Sequence, residues 1–174
     1  RLSHRARALA GITGAIEALV AATVGGALTI RAFAPADEAA VIALWQRCDL
    51  TRPWNDPRKD IARKQALQAD WFLVGELGGR VVATAMTGYD GHRAWLYYVG
   101  VDPDVRGRGI GRAMLAAVEA RMRALGCPKI NLQVRIGNDA AMAFYRAVGY
   151  AVDDVVGMGK RLEGDGDEST QRIE

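Results

Sequence analysis

Three arginines and three glycines fall within seven residues, Arg106-Gly107-Arg108-Gly109-Ile110-Gly111-Arg112. Glycine lets a main chain turn tightly and approach a ligand closely, and the first N–H groups of a helix have no partner within it. Such a stretch ahead of a helix suits a phosphate, because the helix dipole favours negative charge and the guanidinium groups add counter-charge. Each charge-assisted hydrogen bond contributes about 1.5–3 kcal/mol against about 0.3–1 for the dipole, so tight pyrophosphate binding needs several donors to converge. The spacing weakens two nucleotide-binding readings. No GxxxxGK followed by Ser or Thr occurs, and Gly107, Gly109 and Gly111 do not make GxGxxG.

Two other loops concentrate polar chemistry. Gly88-Tyr89-Asp90-Gly91-His92-Arg93 offers Asp90 and His92 as proton carriers. Cys48-Asp49-Leu50-Thr51-Arg52-Pro53-Trp54-Asn55-Asp56-Pro57 is rich in turn formers, and capping explains Asp56 but not Arg52, Trp54 and Asn55, which are expected to touch a substrate. Cys48 and Cys127 lack metal-site spacing with His4 and His92, so core thiols and no metal are expected.

These groups need elements to hold them. Leu96–Val101 is apolar and aromatic and reads as a strand stopped by Asp102-Pro103-Asp104. From Ile110, the residues Met114, Leu115, Val118, Met122 and Leu125 recur on one helical face, ended by Gly126 and Pro128. Upstream, Leu28–Phe33 alternates as a strand, Pro35–Arg47 reads as a helix, and Arg58–Ala69 as a second helix capped by Asp56. Trp71–Leu77 and Arg80–Thr87 form a hairpin around Gly78-Gly79. Downstream come a strand at Lys129–Arg135, a helix at Ala140–Val148, and final strands at Tyr150–Val156 and Gly157–Leu162.

A chain of 174 residues, half of them hydrophobic, suits one domain, placed at 28–162. Residues 1–27, rich in alanine and arginine, are expected outside that fold, and 163–174 as an acidic disordered tail. The net charge of +3 suits an anionic ligand, but no Lys/Arg block is interleaved with aromatics, so no nucleic-acid partner is expected. Without a run of about 18 apolar residues, no membrane span and a cytoplasmic location are expected.

Arg106, Gly109 and Gly111 resemble the signature of the GNAT superfamily of acetyl-CoA-dependent N-acetyltransferases, and Asn138, Phe144-Tyr145 and Gly149-Tyr150 resemble its second motif. The strings RCDLTRPWNDPRKDI, GYDGHR and GCPKI resemble the small bacterial YpeA-type members. The resemblance implies an α/β (α+β) fold: a mixed, mostly antiparallel sheet of six to seven strands, flanked by about four helices and splayed at its central strands. It implies that acetyl-CoA is a cosubstrate held by the main chain of Val99 and Val101, by the stretch Arg106, Gly107, Arg108, Gly109, Ile110, Gly111 and Arg112, and by Asn138. Tyr145 matches the family's general acid. Many relatives carry a Glu base on the next strand where this chain has Gln133, so either Asp90, His92, Glu76 or Tyr98 serves as base through water or the amine arrives neutral. A small-molecule or peptide amine acceptor and a monomer or homodimer follow. A non-catalytic acyl-CoA-binding or interaction module is the competing expectation.

Overall fold

A computed structural model describes residues 21–23 and 26–162. Six strands, β1 (Ala21–Thr23), β2 (Gly26–Ala32), β3 (Phe72–Leu77), β4 (Arg80–Tyr89), β5 (Ala94–Val101) and β6 (Ile130–Leu132), lie in that order across one sheet. Neighbours from β1 to β5 run antiparallel, and β5 and β6 run parallel. A parallel pair needs a crossover. Here it is α3 (Ile110–Ala124), whose Ile110, Met114, Leu115, Val118 and Met122 are buried at helical spacing.

Two cores result. On one face, α1 (Glu38–Arg47) and α2 (Pro57–Ala66) set Val41, Trp45 and Ile61 against Phe72, Val74 and Met86. Phe33 and Phe72 stack with centroids 4.6 Å apart, and Trp45 stacks on Tyr98 at 3.9 Å. On the other face, α3 covers Leu28, Leu73, Ala85 and Leu96, and Phe144, Tyr145 and Val148, borne on and just after α4 (Asp139–Ala147), close its edge. Each large buried side chain contributes about 1.5–3 kcal/mol, so these two clusters hold the helices on the sheet. Asp56 caps α2 as its spacing predicts, accepting from the Arg58 N–H at 2.9 Å.

Several elements differ from expectation. The segments 150–156 and 157–162 form no strand; Val155, Val156, Met158 and Leu162 are 77–97% exposed. Their β-branched residues meet no apolar surface, and strand propensity alone does not create pairing. β6 is shorter than Lys129–Arg135, for its register ends at Leu96↔Leu132. β1 lies within the segment expected outside the fold, paired as Ala21↔Leu28; its Ala-Ala-Thr carries no apolar alternation by which to recognise it. The acidic tail expected at 163–174 and most of 1–27 lie outside the described residues. Among the described residues, no helix is long and apolar enough to cross a membrane.

Candidate functional site

The site begins at a bulge. The β4–β5 register passes from Thr84↔Gly100 to Met86↔Tyr97, so Tyr98 and Val99 together oppose Ala85. Tyr98 takes φ 50°, a left-handed conformation that costs a non-glycine residue about 1–2 kcal/mol. That rotation has a visible effect. Leu96 and Val99 pack into the α3 core, whereas Tyr98 stacks on Trp45 on the opposite face. The bulge is held by a relay: Trp45 Nε1 donates to Thr84 Oγ1 at 2.9 Å, and the Thr84 hydroxyl donates to the Tyr98 carbonyl at 2.8 Å. The Tyr98 hydroxyl donates to Asp60 Oδ2 at 2.5 Å, tying α2 to the same point.

Beyond the bulge the strands separate. β5 pairs with β6 only from Ala94 to Leu96, so Tyr97 to Val101 have no β6 partner among the described residues. The result is a cleft with an open strand edge along one wall. At its end stands the glycine loop. Gly107 and Gly109 have φ of 76° and 79°, which glycine adopts freely, and a Cβ built on either meets nothing within 4 Å. The space above the loop is therefore open. Gly109 is the N-cap of α3, and the first intrahelical bond reaches back from the Ala113 N–H to its carbonyl at 3.0 Å, leaving the N–H groups of the first turn without helical partners.

A buried carboxylate anchors the loop. Asp102 is 3% exposed, accepts from the Asp104 N–H at 3.0 Å, and is paired by Arg47 at 2.8 Å, which also reaches Asp104. Arg106 folds back, its Nε donating to the Val101 carbonyl at 3.0 Å, so this arginine shapes the cradle from below. The Cys48 thiol donates to the same carbonyl at 3.4 Å; burial pushes its pKa up while Arg106 opposes the shift, and it stays a protonated structural thiol.

α4 completes the wall. A Cβ on Gly111 would lie 3.1 Å from Phe144 and 3.6 Å from Val101, so glycine there lets α4 dock on the first turn of α3. Beside Phe144, Tyr145 packs edge-on to it at 5.3 Å and to Tyr150 at 5.7 Å, and burial pushes its pKa up to about 12. Asn138 caps α4, its Oδ1 accepting from the Ala141 N–H at 3.1 Å.

The expected proton carriers fare differently. Asp90 accepts from the His92 and Arg93 N–H groups, each at 2.8 Å, and these bonds hold its carboxyl below the usual range. It forms a turn and is a poor base. Five residues at about 3.3 Å each separate Ala94 from Val99, so Asp90 and His92 stand at the far end of β5, about 17 Å along the strand. Adjacency in sequence to the strand does not bring them to its open edge. Glu76 is engaged by Arg31 at 2.9 Å. Arg52 is locked to Asp49 at 2.9 Å within its own loop. Trp54 meets residues from beyond β6: the Arg135 guanidinium lies 5.8 Å from its ring, and Arg161 donates to its carbonyl. Among the described residues, no group of three or more His, Cys, Asp or Glu is placed to hold a metal.

The splayed strands and the glycine loop agree with comparisons to known proteins. The profile of the acetyltransferase (GNAT) family matches residues 39–150. This chain belongs to the GNAT acetyltransferase family. The acetyltransferase ECA0875 of Pectobacterium atrosepticum is 51% identical to this GNAT chain over 135 residues, covering 78% of it and 96% of that protein. Ard1 from Thermoplasma volcanium superposes with a TM-score of 0.64 at 28% identity, over 72% of this chain and 84% of that one. The ribosomal-protein-S18-alanine N-acetyltransferase from Escherichia coli gives 0.60 at 29%, over 70% and 76%. This GNAT protein is thus an acetyltransferase, and acetyl-CoA is the family's acetyl donor. Its residues suit that donor, with an open space above Gly107 and Gly109 and a free strand edge leading to it.

Asp102, Arg47, Thr84 and Asp60 carry the geometry of this GNAT site without having signalled it in the sequence. Asp102 reads as a strand stop, and Thr84 as one more strand residue. Only the register, which places a hydroxyl opposite a bulge, gives Thr84 its task.

Proposed function

We propose that this GNAT protein transfers the acetyl group of acetyl-CoA to a primary amine by direct attack through a tetrahedral intermediate. The observation that carries the reading is the parting of β5 from β6 beyond Leu96, along the stretch of β5 that leads to the open glycine loop. The main chain of Val99 and Val101 would hold the pantetheine arm as an added strand does. The first-turn N–H groups at Ile110, Gly111 and Arg112 would take the pyrophosphate, with Arg108 and Arg112 adding charge and Asn138 offering its NH2 to the arm. Bound acetyl-CoA supplies an activated thioester carbonyl. The Val99 N–H, at the bulge, is the donor suited to the negative charge that develops on its oxygen.

Tyr145 is the proton donor for the departing sulfur. With a pKa near 12 the phenol stays protonated at neutral pH. A thiol of the cysteine type has a pKa of about 8.5, so full transfer from this phenol is uphill and its service is a hydrogen bond that strengthens as charge collects on sulfur. The attacking amine must be neutral, and Gln133 cannot accept its proton, so either the amine arrives neutral or water passes its proton to a base elsewhere. The test is calorimetric titration with acetyl-CoA, desulfo-CoA and NAD, followed by turnover on an amine panel. Binding of the CoA ligands alone with turnover supports the reading, binding without turnover of any amine favours a non-catalytic acyl-CoA module, and no CoA binding sinks both.

A further inference from the structure

On the face of the sheet that carries α1 and α2, two guanidinium groups contact the Trp54 loop and neither closes an ion pair on a carboxylate. Arg135 lies just past β6 with its guanidinium carbon 5.8 Å from the centre of the Trp54 ring. Arg161 comes from near the end of the described chain, its Nη1 donating to the Trp54 carbonyl at 3.1 Å and to Asn55 Oδ1 at 3.4 Å. Among the described residues neither arginine forms an ion pair. Of the nearby acids, Asp49 is paired by Arg52 and also feels the charge of Arg135, and Asp60 is bonded to Tyr98 and Arg63. Trp54 is 43% exposed and both arginines are exposed, so ring and cations face the solvent together. This is also the face toward which the β6 line turns its alternate residues. Ile130 and Leu132 pack into the α3 core, while Gln133 lies by the 157–161 segment, its Nε2 3.5 Å from a Cβ built on Gly157.

We propose that Arg135 and Arg161, gathered around Trp54, bind an anionic group of the acceptor, so that the enzyme acetylates amines that also carry a carboxylate and disfavours polycationic ones. The inference rests on the acetyl-transfer reading above and adds that the acceptor lies beside Trp54. An arginine that needs only water requires no aromatic ring beside it and no carbonyl and amide oxygen to hold it. Here those contacts fix both guanidinium groups and leave further N–H groups for a forked acceptor, the geometry a carboxylate matches. A polycation would meet two exposed guanidinium groups and find Asp49 and Asp60 already engaged, an arrangement that selects against it.

The experiment compares kcat/KM of the full chain for matched acceptors: a dipeptide with a free carboxylate, the same dipeptide as its C-terminal amide, phosphoethanolamine, and spermidine. The carboxylate form is expected to lead the amide by about tenfold, chiefly through KM, with the lead shrinking as salt is added. In Arg135→Gln and Arg161→Gln the acid-to-amide ratio should fall toward one, and in Arg161→Glu spermidine should gain on both. The ratio is taken within each variant, so a misfolded fraction cancels. Phosphoethanolamine outpacing the carboxylate would overturn the carboxylate assignment, and an amide or spermidine that matches the acid would overturn the proposal. So would variants that weaken acetyl-CoA binding and leave the ratio untouched, which gives both arginines to the cofactor. Failure of the acetyl-transfer reading shows separately, as no calorimetric heat with acetyl-CoA. In that case the two dipeptides are titrated against tryptophan fluorescence: binding of the acid alone, lost in Arg161→Gln, sustains the anion site, and equal binding of acid and amide ends it.

Discussion

Tyr145 and Asp102 show two ways in which one side chain governs this site. Burial keeps the Tyr145 phenol protonated well above neutrality, so Tyr145→Phe is expected to lower kcat about a hundredfold while acetyl-CoA still binds. Its titration should leave no mark on the pH–rate profile in the neutral range; a falling limb at about pH 10 that vanishes in Tyr145→Phe would assign it a free phenol instead. Asp102 acts by holding the strand end. Asp102→Asn weakens its pairing with Arg47 and should cost about 1–3 kcal/mol, read as a lower urea midpoint. The glycine loop and the helix bearing Tyr145 were legible in the sequence because their spacing is local, and the role of Tyr145 comes from the family resemblance. Asp102, Thr84 and Asp60 were not, since each owes its role to a partner 14 to 55 residues away.

Among the elements, the loop before α3 and the β5 bulge divide the work of forming the cleft. Gly109 has φ 79° and serves as the N-cap, so Gly109→Trp adds backbone strain of about 1 kcal/mol and places a bulky ring in the open cradle. Acetyl-CoA affinity measured by calorimetry should fall at least tenfold, against unchanged affinity if the cradle is only a surface turn. The bulge depends on one hydroxyl. Thr84→Val keeps the shape but removes both bonds of the relay, leaving the buried Trp45 N–H and the Tyr98 carbonyl without their partner at a cost of about 1–3 kcal/mol in stability. Helices were read nearly to the residue because their apolar period and caps are written in consecutive positions. The end of β6 was missed because pairing stops where β5 turns away, and the last strands because Val152, Val155 and Val156 have the right side chains and no surface to cover.

Across the whole molecule, an ion cluster links the sheet edge to the helical layer. Arg31 on β2 bonds Asp37 at 2.7 Å, just ahead of α1, and Glu76 on β3 at 2.9 Å. The Arg31 guanidinium holds the Asp37 carboxyl below its usual range despite burial. A carboxyl lowered in the folded state is stabilising above its unfolded value of about 3.9, and that contribution is lost as pH falls through the lower folded value. Urea unfolding across a pH series should therefore show wild type and Asp37→Asn separated by a constant gap above about pH 5, narrowing below about pH 4. A gap that widens on acidification would contradict the assignment. Hydrogen exchange should be slow in Phe72–Leu77 and 82–87 and fast throughout 151–162, where the described backbone has no strand partner.

The contact of Arg161 with Trp54 spans 107 residues of chain. The cofactor half of the cleft, from β5 through α4, is by contrast nearly continuous in sequence. Closing a long loop has an entropic cost that local structure does not bear, so contacts of wide separation form late. The donor half can therefore assemble from neighbouring stretches before the Arg161–Trp54 contact closes.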